Sequence, residues 1–395
     1  MNERERQPRE ISFDSRRVLP WILVGALALA AVDRLVDGVR QLVWLSTPPV
    51  DLAMRWHEVH RWFAGQPLYT GLVGIYPPAT YALLWPALGW LDLTPARWLW
   101  AVTTLAALGW FAYIVVRESE TDSVAARCAV GLLPVSVYAA RAVMVNGQFA
   151  LHLLPPLVAG LLLLHRRRPS WGRDLGATAL LLISLAKPTL SIPFMWAVLA
   201  ARGPWRPAVL LGLGYGGLTL LASLFQPAGA VRLFGQFLAS ADGAASTAAR
   251  DSHANLHAWI DALGLGHGYT LASLIALLAV GWWTLSRARG TDPWLTFGVA
   301  ATVARFWTFH FRYDDMLLLV PMVALIRVVA RREPGSSIDR GAVLALGLLG
   351  ASLLIPARLL LPPYPWQAIE AAQTLVWLGA LGVLLGRARY RPVLS

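Results

Sequence analysis

Residues 51–86 read D-L-A-M-R-W-H-E-V-H-R-W-F-A-G-Q-P-L-Y-T-G-L-V-G-I-Y-P-P-A-T-Y-A-L-L-W-P, the most polar and aromatic-rich segment of an otherwise very apolar chain. Asp51 opens the segment, and the basic or imidazole side chains Arg55, His57 and His60 follow within ten residues. A loop that only joined two membrane helices would need none of these groups. The segment is therefore predicted to form the floor of a functional site at a membrane surface, held in place by the rest of the chain.

The composition places most of the chain in a lipid bilayer. Its 395 residues are 57% hydrophobic and only 14% charged, whereas soluble domains are about a quarter charged. Apolar runs with few charges recur along the whole chain, which is typical of a helical protein that crosses the membrane many times. The expected fold class is all-α: a polytopic integral membrane protein with short amphipathic helices in an outer loop after the first transmembrane helix.

The positive charge is distributed as in a membrane protein. The net charge is +12, and the arginines cluster in short loops between apolar runs, at 166–168, 202–206, 287–289, 331–332 and 387–391. This is the positive-inside pattern, so we expect these loops to be cytoplasmic and do not expect nucleic-acid binding. The predicted organisation is a cytoplasmic basic tail (1–17) and one transmembrane domain (18–395), with outer loops at 47–76 and 226–269.

The apolar runs predict a series of helices. The first spans 18–46 and carries Asp33, Arg34, Asp37 and Arg40, which we expect to pair with one another, Asp37 with Arg40 for example. The later predicted helices lie at 77–91, 97–116, 127–144, 149–165, 174–186, 188–201, 207–225, 270–286, 293–310, 315–330, 341–356 and 366–386. Since 77–91 and 97–116 must give one net crossing, one of them is expected to be short or re-entrant. No internal repeat is visible, which counts against inverted-repeat transporters.

Lys187 is the only lysine of a chain whose other basic residues are arginines. It lies in a break between 174–186 and 188–201, and both segments are shorter than the about 20 residues that a full membrane crossing needs. Such a break is tolerated only where it lines a cavity inside the protein. A compact ammonium there can bind a phosphate. The alternative is a helix-end lysine that reaches water.

Two further polar clusters are candidates. Arg141, Asn146 and Gln148 interrupt an apolar region, although Asn-Gly is also a common turn former. Arg305, His310, Arg312, Asp314 and Asp315 lie in R-F-W-T-F-H-F-R-Y-D-D, where cations among aromatic rings suit a sugar phosphate. The alternative is an aromatic belt at the membrane interface with Arg–Asp pairs.

Asp51 is the strongest single candidate. A carboxylate at the outer membrane surface can act as a general base toward a hydroxyl, although Asp51 also fits the N-cap of a helix that begins at Leu52. His57 and His60 are spaced i, i+3, but no third ligand is suitably placed, so no metal site is predicted. No cofactor is expected either.

The order of motifs resembles a known superfamily. The first outer loop contains an acidic residue followed by G-Q-P-L-Y and Y-P-P, and N-G-Q and then A-K-P in a broken helix come later in the chain. This series of motifs resembles that of the GT-C membrane glycosyltransferases. The nearest resemblance is to the polyprenyl-phosphate-mannose-dependent mannosyltransferases of phosphatidylinositol mannosides and lipoglycans, and to their arabinofuranosyl relatives. It covers roughly residues 45–200. The chain departs from the family pattern at two places: Arg55 stands four residues after the acidic residue, and the late segment reads R-F-W-T-F-H. These differences concern the choice of acceptor and of sugar rather than the class of reaction.

The resemblance implies a reaction. A hexose, expected to be mannose, would move from a polyprenyl-phosphate donor to a lipid or glycan acceptor on the extracytoplasmic side of the cell membrane, with inversion and with Asp51 as the base. The donor phosphate and sugar would contact Lys187, Arg305, His310, Arg312, Gln148, Asn146, Arg141 and Tyr76, whereas Arg55 and His57 would face the acceptor. Two alternatives remain: a transporter or flippase for an anionic or lipid-linked substrate, and a non-enzymatic scaffold.

Overall fold

The structure is a computed structural model that describes residues 15–69, 74–166, 168–201, 203, 205–251, 255–265, 269–287, 290–331, 339–355 and 366–388. Over these ranges the chain is helical and contains no strand, as predicted. Most of the predicted basic tail lies outside the described residues, as do residues 70–73 of the first outer loop.

The helices follow one another with short connections. They are α1 (Ser15–Val43), α2 (Val50–Phe63), α3 (Pro78–Leu88), α4 (Leu93–Glu118), α5 (Val124–Ser136), α6 (Tyr138–Asn146), α7 (Ala150–Arg166), α8 (Trp171–Ser184), α9 (Pro188–Ala200), α10 (Arg206–Ser223), α11 (Ala230–Asp251), α12 (Leu256–Ala262), α13 (Tyr269–Arg287), α14 (Pro293–Phe306), a 3₁₀ helix (Arg312–Leu318), α15 (Leu319–Ala330), α16 (Arg340–Leu354) and α17 (Trp366–Arg387).

Five stretches in the described part of the chain are long and apolar enough to cross a membrane: Val18–Val43, Leu93–Glu118, Val124–Asn146, Tyr269–Arg287 and Ala368–Arg387. Shorter apolar helices pack among them at Ala150–Arg166, Pro188–Ala200 and Arg340–Leu354. The buried apolar side chains of these helices form one large contiguous cluster. The chain is therefore a membrane-embedded helical protein.

The charges in α1 bind neighbouring helices, but the expected partner of Asp37 is wrong. Asp37 pairs with Arg141 of α6 at 2.5 Å and accepts a hydrogen bond from Gln41 at 2.7 Å. Arg34 donates to the Ser136 carbonyl and, at 3.0 Å, to the Leu354 carbonyl. Because Ser136 is the last residue of α5, its carbonyl has no N–H partner within the helix, and Arg34 satisfies it. The predicted helix 127–144 is accordingly two helices.

The short member of the pair 77–91 and 97–116 is the first. With 11 residues, α3 is only about 16 Å long, whereas the 26-residue α4 can cross the membrane. The break between α8 and α9 is also present, with Lys187 at the N-cap of α9. Its backbone is satisfied by protein groups, since Thr80 donates to the Ala186 carbonyl at 2.8 Å and Ser191 donates to the Ser184 carbonyl.

The predicted long polar loop 226–269 is largely helical, which corrects the sequence interpretation. It contains α11 and α12. In α11, Val231, Phe234 and Leu238 lie on one exposed apolar face at spacings of three and four residues. Judged by polarity alone, an amphipathic helix such as α11 resembles a loop, because more than a third of its residues are polar.

Candidate active site

A cavity of about 510 Å³ lies where α2, α9, α11 and α13 meet the 307–314 segment. One part of its wall is polar and is formed by Asp51, Arg55, Tyr76, Gln148, Lys187, Tyr313 and Asp314. Another part is apolar and is formed by Phe237, Leu238, Ala241, Leu274 and Leu277. The cavity thus combines buried charged groups with a hydrocarbon surface.

Asp51 lies in the first turn of α2 and lines this cavity. Since α2 begins at Val50 and Pro49 is its N-cap, Asp51 is not the helix cap that the sequence also allowed. The Gln148 side chain and the charges of Lys187 and Arg55 all act to lower the pKa of the carboxyl. Burial raises the pKa of Asp51 above the ordinary carboxyl range, and the two cations offset only part of that effect. A carboxyl with a raised pKa is a stronger base once it is ionised.

Gly147 brings Gln148 up to Asp51. It follows α6 with φ of 67°, in the left-handed region, which glycine adopts without steric cost. A Cβ at this position would clash with the Cβ of Leu52 and lie 3.1 Å from the Cβ of Pro49. The end of α6 can therefore approach the start of α2 only because residue 147 is a glycine. Asn146 closes the same turn, donating to the Ala142 carbonyl at 2.8 Å.

Lys187 forms a buried ion pair with Asp314, with its Nζ 2.6 Å from Oδ1. The other carboxylate oxygen of Asp314 is 2.9 Å from Nδ1 of His310, and Nζ lies 4.9 Å from the centre of the Tyr313 ring. Burial alone would raise the pKa of Asp314, but Lys187 and His310 hold it below the ordinary range. Lys187 is only 6% exposed, so it does not reach water, and its ammonium belongs to the cavity wall.

Arg55 and Tyr76 complete the polar wall. The Arg55 guanidinium pairs with Glu58 at 2.6 Å and lies 4.6 Å from the centre of the Tyr76 ring. The Tyr76 carbonyl accepts a hydrogen bond from the Tyr69 hydroxyl at 2.7 Å. These contacts tie the polar loop after α2 to the cavity.

The structure does not bring the remaining predicted residues to the cavity wall. Arg305 is buried against Asp315 and lies over the Trp377 ring, and Arg312 pairs with Glu370 at 3.3 Å. Arg141 and Asn146 have the partners described above. His57 is exposed on α2. His310 is not part of the wall either, and its Nδ1 contacts the Asp314 carboxylate described above.

Two wall residues, Tyr313 and His257, were not among the predicted site residues, and Asp314 was predicted only as a member of the late polar cluster. Asp314 carried a signal as part of the D-D pair, but its partner Lys187 lies 127 positions away. Across the described residues, no group of three or more His, Cys, Asp and Glu side chains is arranged to hold a metal ion. The expectation that neither a metal nor a cofactor takes part stays a prediction.

One comparison with known proteins identifies the family. The model of Glycosyltransferase family 87 matches residues 75–304, which is more than half of the 395 residues. Neither a curated protein nor a solved structure matches the chain. The matched range includes Tyr76, Gln148 and Lys187 of the cavity wall, whereas Asp51 precedes it. This membrane-embedded helical protein belongs to Glycosyltransferase family 87 and is a membrane glycosyltransferase.

Proposed function

We propose that the protein transfers a hexose, expected to be mannose, from a polyprenyl-phosphate donor to a hydroxyl of a lipid or glycan acceptor. The reaction takes place on the extracytoplasmic side of the cell membrane, inverts the anomeric centre and uses Asp51 as general base. The observation that carries the proposal is the composition of the cavity wall, in which a buried ammonium and a carboxylate stand beside a hydrocarbon surface.

The hydrocarbon surface continues to the outside of the protein. Leu274 of α13 and Leu238 of α11 both line the cavity, yet they are 50% and 51% exposed. The exposed face of α13 also carries Leu271, Ile275 and Leu278. Because α13 is a candidate membrane span, this face meets lipid. A substrate with a long apolar tail can therefore keep its tail in the membrane while its polar head enters the cavity.

Lys187 is suited to the donor phosphate. An ammonium has three N–H donors, and the bond to Asp314 uses one of them. Lys187 is buried, so its charge stabilises the charge that develops on the departing phosphate more strongly than it would in water. Asp314 keeps Lys187 charged and in position when no phosphate is bound.

Asp51 accounts for the proton. The acceptor hydroxyl gives its proton to the Asp51 carboxylate as its oxygen forms a bond to the anomeric carbon. The bond between that carbon and the phosphate oxygen breaks, and its electron pair leaves with the polyprenyl phosphate. The protonated Asp51 then releases the proton to solvent. Attack from the face opposite the phosphate inverts the anomeric centre.

The transporter, the flippase and the scaffold have less support. Family membership favours a transferase over a carrier or a scaffold.

A donor panel tests the proposal. Membranes that contain the protein are supplied separately with polyprenyl-phosphate mannose, glucose and arabinofuranose, each labelled in the sugar, and lipid and glycan products are separated. We expect label from the mannose donor to enter a product. Transfer from the arabinose donor alone would overturn the choice of a hexose, and no transfer from any of the three would overturn the proposed donor class.

A further inference from the structure

His257 is a buried polar residue of the cavity wall that the proposed reaction does not use. It lies in the first turn of α12 and is only 4% exposed. The same part of the wall contains Ser273 of α13 and the exposed Asp242 of α11. It is formed by α11, α12 and α13, whereas Lys187 and Asp51 come from α9 and α2.

The hydrogen bonds around His257 determine which ring nitrogen carries the proton. The Ser273 hydroxyl donates its only proton to the Trp307 carbonyl at 2.6 Å. Its oxygen, 2.8 Å from Nε2 of His257, can then only accept a hydrogen bond from that nitrogen. Nε2 is therefore protonated and Nδ1 carries a lone pair. Nδ1 is buried and has no hydrogen-bond partner among the described residues.

The imidazole is neutral at neutral pH. Burial lowers the pKa of His257 to about 4, with His310 acting in the same direction and Asp242 against it. A neutral ring with a bare Nδ1 and a carboxylate at Asp242 can both accept hydrogen bonds, and neither attracts a phosphate. This end of the cavity thus favours hydroxyl donors, whereas the Lys187 end favours anions.

A hydrogen-bonded path joins the two ends. From His257 it passes through Ser273 to the Trp307 carbonyl, and Trp307 Nε1 donates to the Thr189 carbonyl at 2.7 Å. Thr189 lies two residues after Lys187. The aromatic side chains of Trp307, Phe309 and Phe311 line the wall beside this path. Such rings pack against the apolar faces of sugars while hydrogen-bond acceptors bind the hydroxyl groups.

We propose that His257 and Asp242 form a subsite that binds hydroxyl groups of a sugar ring, with Nδ1 of His257 accepting one hydroxyl proton. The subsite adds a sugar-binding contact to the proposed function. Only the origin of the bound sugar rests on that proposed function: the sugar belongs either to the donor or to a glycosylated acceptor. His57, which the sequence placed on the acceptor side, is exposed on another helix and has no part in it.

Binding of free sugars tests the subsite without turnover. Protein in lipid nanodiscs is titrated with methyl glycosides of mannose, glucose, galactose and arabinofuranose, and Kd is measured by saturation-transfer difference NMR. We expect wild type to bind at least one glycoside and His257→Phe to raise its Kd about tenfold, as loss of one hydrogen bond to a neutral group does. His257→Asn, which can place an amide oxygen near the position of Nδ1, should stay within about threefold of wild type.

Matched controls separate this effect from general disturbance. His165→Phe changes a half-buried histidine of α7 outside the cavity wall and should leave Kd unchanged. Among monodeoxy glycosides, one should lose affinity for wild type but not for His257→Phe, which would identify the hydroxyl that is bound. Equal Kd values for wild type and His257→Phe would overturn the subsite, as would the absence of binding by wild type up to the solubility of every glycoside.

Steady-state kinetics then identify the origin of the sugar. A rise in KM for the polyprenyl-phosphate donor in His257→Phe would assign the subsite to the donor sugar, and a rise in KM for the acceptor would assign it to the acceptor. If wild type transfers no sugar from any donor, the proposed function fails, whereas the binding titration still decides whether the subsite exists.

Discussion

At the scale of single residues, the proposed site brings together one lysine and two aspartates that lie far apart in sequence. Lys187, Asp314 and Asp51 line one cavity, where Lys187 lowers the pKa of both aspartates and Asp314 raises that of Asp51. Asp51 and Lys187 were predictable, because each is an unusual residue in its local sequence. The ion pair between Lys187 and Asp314 was not, since neither helix periodicity nor spacing specifies which distant segments meet.

Lys187→Met should lower the rate of sugar transfer by about 10²–10³, the loss that follows removal of one group stabilising charge in a transition state. Lys187→Arg should also fail to restore the rate, because the planar guanidinium is larger than an ammonium and bonds in a different geometry. Initial rates with labelled donor measure both effects. Arg312→Met, on the part-exposed side chain outside the cavity wall, is the control and should stay within about threefold of wild type. A full rate with Lys187→Met would contradict the assigned role.

The pH profile should report the raised pKa of Asp51. Asp51 is a base only when it is ionised, so activity is lost as pH falls through its pKa. Because burial raises that pKa, the acid limb should lie above the ordinary carboxyl value of about 4. In Lys187→Arg the cation is kept, whereas Lys187→Met removes it and should move the limb to still higher pH. The residual activity of the two variants, measured against pH, checks this, and an unchanged limb in Lys187→Met would contradict the coupling.

At the scale of elements, close approach of the end of α6 to the start of α2 positions Asp51, the proposed base. Sequence reasoning recognised N-G-Q as a turn followed by a helix start, and the structure has that turn. What the turn contacts depends on tertiary packing. Sequence patterns likewise identified the helix break at Lys187, whereas α11 and α12 were missed because polarity alone does not separate an amphipathic helix from a loop.

Gly147→Ala should impair both stability and transfer. The left-handed φ alone costs about 1 kcal/mol for a residue with a Cβ, and the added methyl would also collide with Leu52. We expect a lower Tm and a rate reduced at least tenfold, because Asp51 and Gln148 would separate. The matched control is Gly109→Ala in α4, where no atom lies within 4 Å of the new Cβ and φ is helical. It should be neutral or stabilising, so equal effects of the two changes would argue against this packing role.

At the scale of the whole molecule, the helix ends remote from the cavity are joined by buried ion pairs. Arg327 of α15 is hydrogen-bonded to the Glu118 carbonyl at the end of α4 and pairs at 2.9 Å with Asp292 at the start of α14. Trp294 Nε1 donates to Glu118 at 2.9 Å. α14 begins at this cluster and α15 ends at it, whereas the 307–314 segment lies between their other ends. The cluster therefore holds the scaffold together rather than the site.

Arg327→Met should therefore lower stability more than chemistry. Removing Arg327 leaves the buried Glu118 carbonyl without its donor, although Glu118 keeps its pair with Arg166 and Asp292 keeps its pair with Arg331. A buried polar group left without its partner commonly costs about 1–3 kcal/mol. We expect Tm to fall by several degrees while KM of the remaining folded enzyme stays within about twofold of wild type. Arg340→Met, on the exposed first residue of α16, provides the control and should leave Tm unchanged. A large rise in KM with Arg327→Met would show that the two ends of the molecule are coupled.

The most direct measurement is the initial rate of sugar transfer by Asp51→Asn beside wild type and Asp92→Asn. Asparagine preserves shape but cannot take the proton. The substitution should not unfold the protein. Because the pKa of Asp51 is raised in the folded state, ionising this carboxyl lowers the stability of the fold as pH rises above about 4, and the neutral amide avoids that loss. Asp92 is an exposed carboxylate at the start of α4 and outside the cavity wall.

We expect Asp51→Asn to bind the polyprenyl-phosphate donor with the Kd of wild type and to transfer sugar at least about 10² times more slowly, as loss of a general base does. Asp92→Asn should match wild type in both. Transfer by Asp51→Asn at the wild-type rate would contradict the assignment of Asp51 as the base, and with it the central claim about this site.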